Sequence, residues 1–186
     1  LVGHSMGGQH VRLFAVRHPE RVAGVVLVDA ATPEAVDIPM VRRFVDTFGR
    51  LSQAVAGLTS AGLAKPLFFL GDRIGLSGPA VREKQAAFVS GRHARNAADE
   101  AAHWLESAAM ARAAGRLDPA WPVAVVTAGE SARISDSAWA AARLAPVEAS
   151  VAGSYAAVPE AGHATILSHS HNAEIVAAVQ RVAAAL

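Results

Sequence analysis

The stretch that decides the fold is Leu1–Gly8, LVGHSMGG, together with Val22–Asp29, VAGVVLVD, one helix-length further on. Leu1 and Val2 read as the apolar tail of a strand, and Gly3-His4-Ser5-Met6-Gly7 as a tight G-x-S-x-G turn. Met6 to His18 then places Val11, Phe14, Ala15 and His18 on one helical face before Pro19 stops it. As bare letters G-x-S-x-G is a weak signal. Set between a strand and a helix, it is the arrangement that lifts a serine hydroxyl clear of a strand end. Ser5 is expected to hold a strained backbone conformation there. Gly3 and Gly7 are expected to be needed because a Cβ would clash, and Gly8 because the helix must lie close to the sheet. The helix N-terminus directs N–H dipoles toward developing negative charge, which makes the Met6 N–H an oxyanion donor.

Working outward, Val22–Val28 is a β-branched run, Pro122–Thr127 (PVAVVT) a second, and Tyr155–Val158 (YAAV) a shorter third. Continuous apolar runs suit a parallel sheet covered on both faces. Asn172–Ala185 reads as a terminal helix, with Ile175, Val176, Val179 and Val182 at helical spacing. The alternation of strand and helix predicts an α/β fold with right-handed crossovers. Thr32 to Trp121 breaks that rhythm. It is too long for a crossover and reads as helices over 38–57, 79–93 and 97–114. Ser77 is expected to cap the second, and Gly115 to end the third. A helical insertion of this kind is expected to sit over the ligand-bearing end of the sheet as a lid.

Composition narrows the function classes. The chain has 186 residues, 52% of them hydrophobic and 18% charged, enough for one domain with a sizeable core. A net charge of +1 offers no footprint for nucleic acid or an anionic membrane, and no apolar run is long enough for a membrane span. Zero cysteines exclude disulfides and thiolate metal sites and fit a reducing, cytoplasmic compartment. His169 and His171 lack a third ligand at matching spacing and read as a solvated loop or helix start rather than a metal site. His4 and His10 flank the turn and read as packing or pocket-lining residues.

With these motifs in this order, the sequence resembles the α/β-hydrolase superfamily, in its esterase/lipase-like branch with a helical cap. LVGHSMGG and HPERVAGVVLVDAATPE look like the elbow strand, its helix and the next strand; WPVAVVTAG looks like the strand after the cap; VPEAGHATIL looks like the last strand and the histidine loop. The resemblance implies a partial α/β-hydrolase fold: a parallel sheet of about four strands from the elbow strand onward, with helices on both faces. Residues 1–31 and 122–186 would form the core and 32–121 the helical cap. It also implies that the first strands and a second oxyanion donor precede Leu1. The chain would then be the C-terminal part of a longer enzyme, poorly active alone, with its elbow-strand edge open to pairing with another chain.

The roles follow the same resemblance. Ser5 is the expected nucleophile and His163, in the loop after the last strand, the base that accepts its proton. The usual acid position, shortly past Gly129, falls on Ala132. Asp29, at the end of VVLV, is the preferred acid; Asp136 and Glu130 are the alternatives. Asp136 has a second explanation as a helix cap, and Asp29 as a carboxylate tying down the turn through Thr32. A serine rather than an aspartate nucleophile excludes dehalogenase and epoxide hydrolase chemistry and favours acyl transfer on a small-molecule substrate, with no cofactor and no metal. The run Leu67-Phe68-Phe69-Leu70 is expected either to pack as cap core or to favour an apolar acyl or alcohol group. The competing expectation is a non-catalytic small-ligand binding or interaction protein of the same fold.

Overall fold

Short apolar strands joined by helices fold as the run order requires. The structure is a computed structural model and describes residues 1–71 and 75–186. Four parallel strands, β1 (Val2–His4), β2 (Val25–Val28), β3 (Val123–Ala128) and β4 (Gly153–Val158), form one sheet in the order β1-β2-β3-β4. The β1–β2 register sets His4 opposite Val28, and β2 is paired with β3 so that Val28 faces Val126. Every residue of β2 and β3 is buried, as strands covered on both faces must be.

Alternate side chains feed two separate cores. One face gathers Val26, Val28, Ala124, Val126 and Ala128 with Ile166 and Ala178 of the C-terminal segment. The other gathers Val25, Leu27, Val123 and Val125 with Val22 and with Ala15 of α1 (Gly7–Arg17). The two-residue period of the strands is what sorts them. Two strand expectations change. Val22 lies outside β2, since Pro19–Arg21 forms a 3₁₀ turn and the strand starts only at Val25. β4 starts two residues early, at Gly153, and alternates between exposed and half-buried because it is an edge strand.

Helices α2 (Pro39–Ser60), α3 (Pro79–Phe88), α4 (Gly91–Ala102) and α5 (Trp104–Ala114) connect β2 to β3. The helix expected over 79–93 is cut after Phe88, because the Ser90 hydroxyl accepts the His93 N–H (3.4 Å) and starts a new helix. The helix expected over 97–114 breaks at His103, whose imidazole Nδ1 hydrogen-bonds the Asp99 carbonyl at 2.7 Å. Ser77 is not the cap of α3; Gly78 holds that position at φ +61° with no side-chain cap. Gly115 does end α5, at φ +121°. The Leu67–Leu70 run is not core either: Lys65–Leu70 forms a 3₁₀ helix whose four large apolar side chains are all exposed, Phe69 at 68%.

After β3 come α6 (Gly129–Ala132) and α7 (Ser137–Ala149), and after β4 the terminal helix α8 (Ala173–Ala184). The inward stripe of α8 is Ile175, Ala178 and Val182, whereas Val176 and Val179 are exposed. Val176 and Val179 each lie one residue, about 100° of helix, past a member of that stripe.

The turn after β1 depends on one glycine more than on its neighbour. A Cβ on Gly3 would stand 2.8 Å from the Gly7 carbonyl oxygen and 2.9 Å from Val11 Cγ2, whereas a Cβ on Gly7 would meet nothing within 4 Å. Gly7 is therefore not required sterically, contrary to the expectation from the motif. A Cβ on Gly8 would lie 2.7 Å from the Ala30 Cβ, so the close approach there is to the loop after β2. Gly3→Ala is expected to destabilise the fold by about 1–3 kcal/mol through overpacking. Gly7→Ala, in the first turn of α1, is expected to be neutral or to stabilise by up to about 1 kcal/mol. Urea unfolding of the two variants measures the contrast.

Candidate active site

Two residues open the site by where their strands stop. His4 and Val28 are register partners, so Ser5 and Asp29 are the first residues beyond two adjacent parallel strands. Both have positive φ, 54° for Ser5 and 41° for Asp29, and they are the only non-glycine residues among those described that do. Such a conformation costs on the order of 1–3 kcal/mol and persists only where surroundings enforce it. Here the enforcement is visible. The Ser5 N–H donates to Val28 O (3.2 Å), the Asp29 N–H to Val126 O (2.7 Å), and the Ala31 N–H to Ser5 O (2.8 Å).

His163 joins them from the loop after β4. Its Nε2 lies 3.0 Å from Ser5 Oγ and its Nδ1 2.6 Å from Asp29 Oδ2. A carboxylate only accepts, so Nδ1 carries the proton and donates to Asp29, leaving the Nε2 lone pair for the Ser5 hydroxyl. The Asp29 side chain is 3% exposed and that of His163 50%. Charge is held in the dry part of the relay, and the imidazole faces the open side.

Asp29 is satisfied by more than the imidazole. Its Oδ1 accepts the Ala128 N–H (3.1 Å) and its Oδ2 the Ser131 hydroxyl (2.8 Å). Burial by itself pushes this carboxyl upward, but the hydrogen bonds from His163 and Ser131, the His163 charge and the Ala128 N–H together hold it below the ordinary carboxylate range. His4 stacks on His163 with centroids 4.7 Å apart, and its Nε2–H donates to the His163 carbonyl at 3.0 Å. Burial lowers the His4 pKa against the opposing effect of that hydrogen bond, which keeps the ring neutral at pH 7.

The other residues singled out in the sequence lie elsewhere or do other things. Asp136 caps α7, its Oδ1 accepting the Trp139 N–H at 3.0 Å. Glu130 lies against Gly162, where a Cβ would meet its carboxylate at 2.8 Å, and it makes no hydrogen bond to His163. Asp29 makes no bond with Thr32; its oxygens face Ala128, Ser131 and His163. The Met6 N–H has no acceptor among the described residues and opens the N-terminus of α1 beside Ser5. His10 is exposed rather than packed. His171 hydrogen-bonds Ser168 Oγ at 2.9 Å, and the described residues contain no group of metal-ligating side chains.

A cavity of about 440 Å³ opens beside this relay. Ser5, Asp29 and His163 lie on its floor; Met40, Val41, Phe44 and Phe48 of α2 and Trp104 of α5 supply apolar wall. The Leu67–Leu70 run is not among the lining residues. Sequence reasoning missed Ser131 and Arg143. Ser131 stands one residue before the acid position that falls on Ala132, and a hydroxyl there was the available signal. Arg143 is the one charge between Ser137 and Val147.

A family model described as alpha/beta hydrolase fold matches residues 1–170. Among solved structures, the chain is similar to an alpha/beta hydrolase fold protein from Nakamurella multipartita, with 17% sequence identity and a TM-score of 0.44. That similarity covers 97% of this chain and 68% of the other. No curated protein matches the chain significantly.

The lowered pKa of Asp29 has a signed consequence for stability. A carboxyl held below its unfolded value, near 4, stabilises the fold fully above that value. The contribution is lost as pH falls through the lowered folded-state value. Urea unfolding of the wild type and Asp29→Asn is expected to show a gap in stability at pH 7 that narrows below pH ~4.

Proposed function

The chain belongs to the alpha/beta hydrolase fold family, and from that premise we propose that it is a serine hydrolase acting by acyl transfer on a carboxylic ester or related acyl compound. The observation that carries the reading is the Ser5–His163–Asp29 relay, at 3.0 and 2.6 Å, on the floor of a cavity. Ser5 Oγ attacks the carbonyl carbon as its proton passes to His163 Nε2. Asp29 keeps the imidazole in the required tautomer and stabilises the imidazolium that forms. The tetrahedral oxyanion takes the Met6 N–H at the positive end of α1. His163 then returns the proton to the leaving alcohol, and water repeats the sequence on the acyl-enzyme.

Residues 1–31 and 122–186 act as the catalytic core, and 32–121 as the cap. Support for that division comes from the cavity, whose upper wall is made by Phe44, Phe48 and Trp104 from the helices between β2 and β3. Those rings meet in a cluster: Phe44 stacks on Phe48 at 5.8 Å, and both meet Trp104 edge-on at 6.3 and 6.1 Å. These rings offer the acyl group an apolar surface, with Phe44 and Phe48 themselves still 57% and 40% exposed.

A fluorophosphonate probe with 4-nitrophenyl butyrate as substrate tests the proposal. Labelling is expected on Ser5 and is expected to disappear in Ser5→Ala and His163→Ala. Asp29→Asn is expected to lower kcat by about 10²–10⁴-fold, since the imidazole loses its orienting acceptor. Ligand binding without labelling or turnover would instead make this a non-catalytic binding protein.

A further inference from the structure

The cavity beside Ser5 is lined mostly by apolar side chains, yet one of its wall residues is a cation. Arg143, on α7, is 9% exposed. Among the described residues its one hydrogen bond runs from Nη1 to the Ser131 carbonyl at 2.8 Å; Nε is buried without an acceptor there, and Nη2 has none. Among the described residues no carboxylate pairs with it. The arginine ion pairs among those residues are those of Arg12, Arg112 and Arg181 with Glu34, Asp37 and Glu174. Glu130 shares the cavity wall but forms no ion pair with Arg143.

A guanidinium stays protonated at any ordinary pH. Burying it with no carboxylate in direct contact is costly, and a single backbone carbonyl takes one of its five N–H donors. Holding Ser131 in place would need one neutral donor, so that role leaves the charge unexplained. An anion entering the cavity would account for it. A carboxylate matches the guanidinium in charge and in its planar, two-pronged geometry. A phosphate dianion would leave a second negative charge uncompensated in an apolar pocket.

Resting on the reading of Ser5 as a nucleophile, we propose that Arg143 is a specificity-determining residue that binds a carboxylate of the substrate. The substrates are then acyl compounds with a second, ionised carboxyl group, such as monoesters of short dicarboxylic acids. The apolar walls take the methylene chain between the two ends, and about 440 Å³ is room for such a molecule.

Binding measured by calorimetry in a Ser5→Ala background tests this without turnover. Monomethyl adipate and dimethyl adipate differ by one charge at similar size. The monoester is expected to bind at least about tenfold more tightly, in line with a charge-assisted hydrogen bond. Adding Arg143→Met is expected to erase that preference, so that the two esters bind with equal affinity. Arg143→Lys, which keeps the charge without the planar fork, is expected to retain part of it. Equal affinity for the two esters, binding of neither, or a preference that survives Arg143→Met would overturn the proposal. The comparison of the two esters in the Ser5→Ala protein decides the matter even where Arg143→Met fails to fold. Fluorophosphonate labelling of Ser5 in the wild type reports separately on the hydrolase reading.

Discussion

Everything at the site depends on β1 and β2 ending together. Their pairing brings His4 opposite Val28, and the residue after each turns into the left-handed region. Two neighbouring parallel strands lie about 4.8 Å apart, so Ser5 and Asp29 begin close, and one imidazole can reach both. The unfavourable backbone angles are tolerated because they are tied on several sides. Val28 O, Val126 O and the Ala31 N–H hold the two turns, and behind them β2 and β3 are buried along their full length. Slippage by one residue would turn these side chains to the opposite faces of the sheet.

On that frame sits a gradient of burial. Asp29 is the driest member and accepts from Ala128, Ser131 and His163; His163 is half exposed. Low dielectric around the carboxylate strengthens its hold on Nδ1–H, and the open side of the ring faces the cavity. His4, neutral and stacked beneath His163, donates to the carbonyl of the same residue, fixing both ring and backbone of the histidine loop. Under the proposed mechanism these contacts position the imidazole before any substrate arrives, so little reorganisation accompanies the reaction.

The helices between β2 and β3 are joined to the sheet through a small core of their own. Ala35, Val41 and Val45 pack with Trp104, Leu105, Trp139 and Ala142, so α2, α5 and α7 share one apolar cluster. That cluster also walls the cavity. Arg143 follows Ala142 on α7 and bonds the carbonyl of Ser131, whose hydroxyl bonds Asp29. The cavity wall and the proposed catalytic acid are thereby linked through two hydrogen bonds.

Much of the fold was legible in the chain. The β-branched runs at 22–28 and 122–127 and the Gly3-to-Gly7 turn carry short-range backbone preferences that hold wherever they occur, so strand, turn and helix followed from them. Ser5 stood out because a Gly-rich turn between a strand and a helix is a local feature, and His163 because its loop resembles the one that carries the imidazole in the family. The exact helix breaks were less readable, because Ser90 and His103 act through individual hydrogen bonds rather than through periodicity. Which carboxylate meets His163 was only partly readable: Asp29 was the preferred one, with Asp136 and Glu130 left as alternatives. Asp29, Asp136 and Glu130 are all placed near strand ends or helix starts, and only the sheet order, with β3 between β2 and β4, brings Asp29 to 2.6 Å from the Nδ1 of a histidine 134 residues further along the chain. Ser131, Arg143 and the dispensability of Gly7 belong to the same category. The sequence by itself determined where the chain extends, turns and coils, since those follow from neighbouring residues. The tertiary structure alone decided which polar groups meet, since a hydrogen bond depends on positions to within fractions of an ångström that only the assembled sheet fixes.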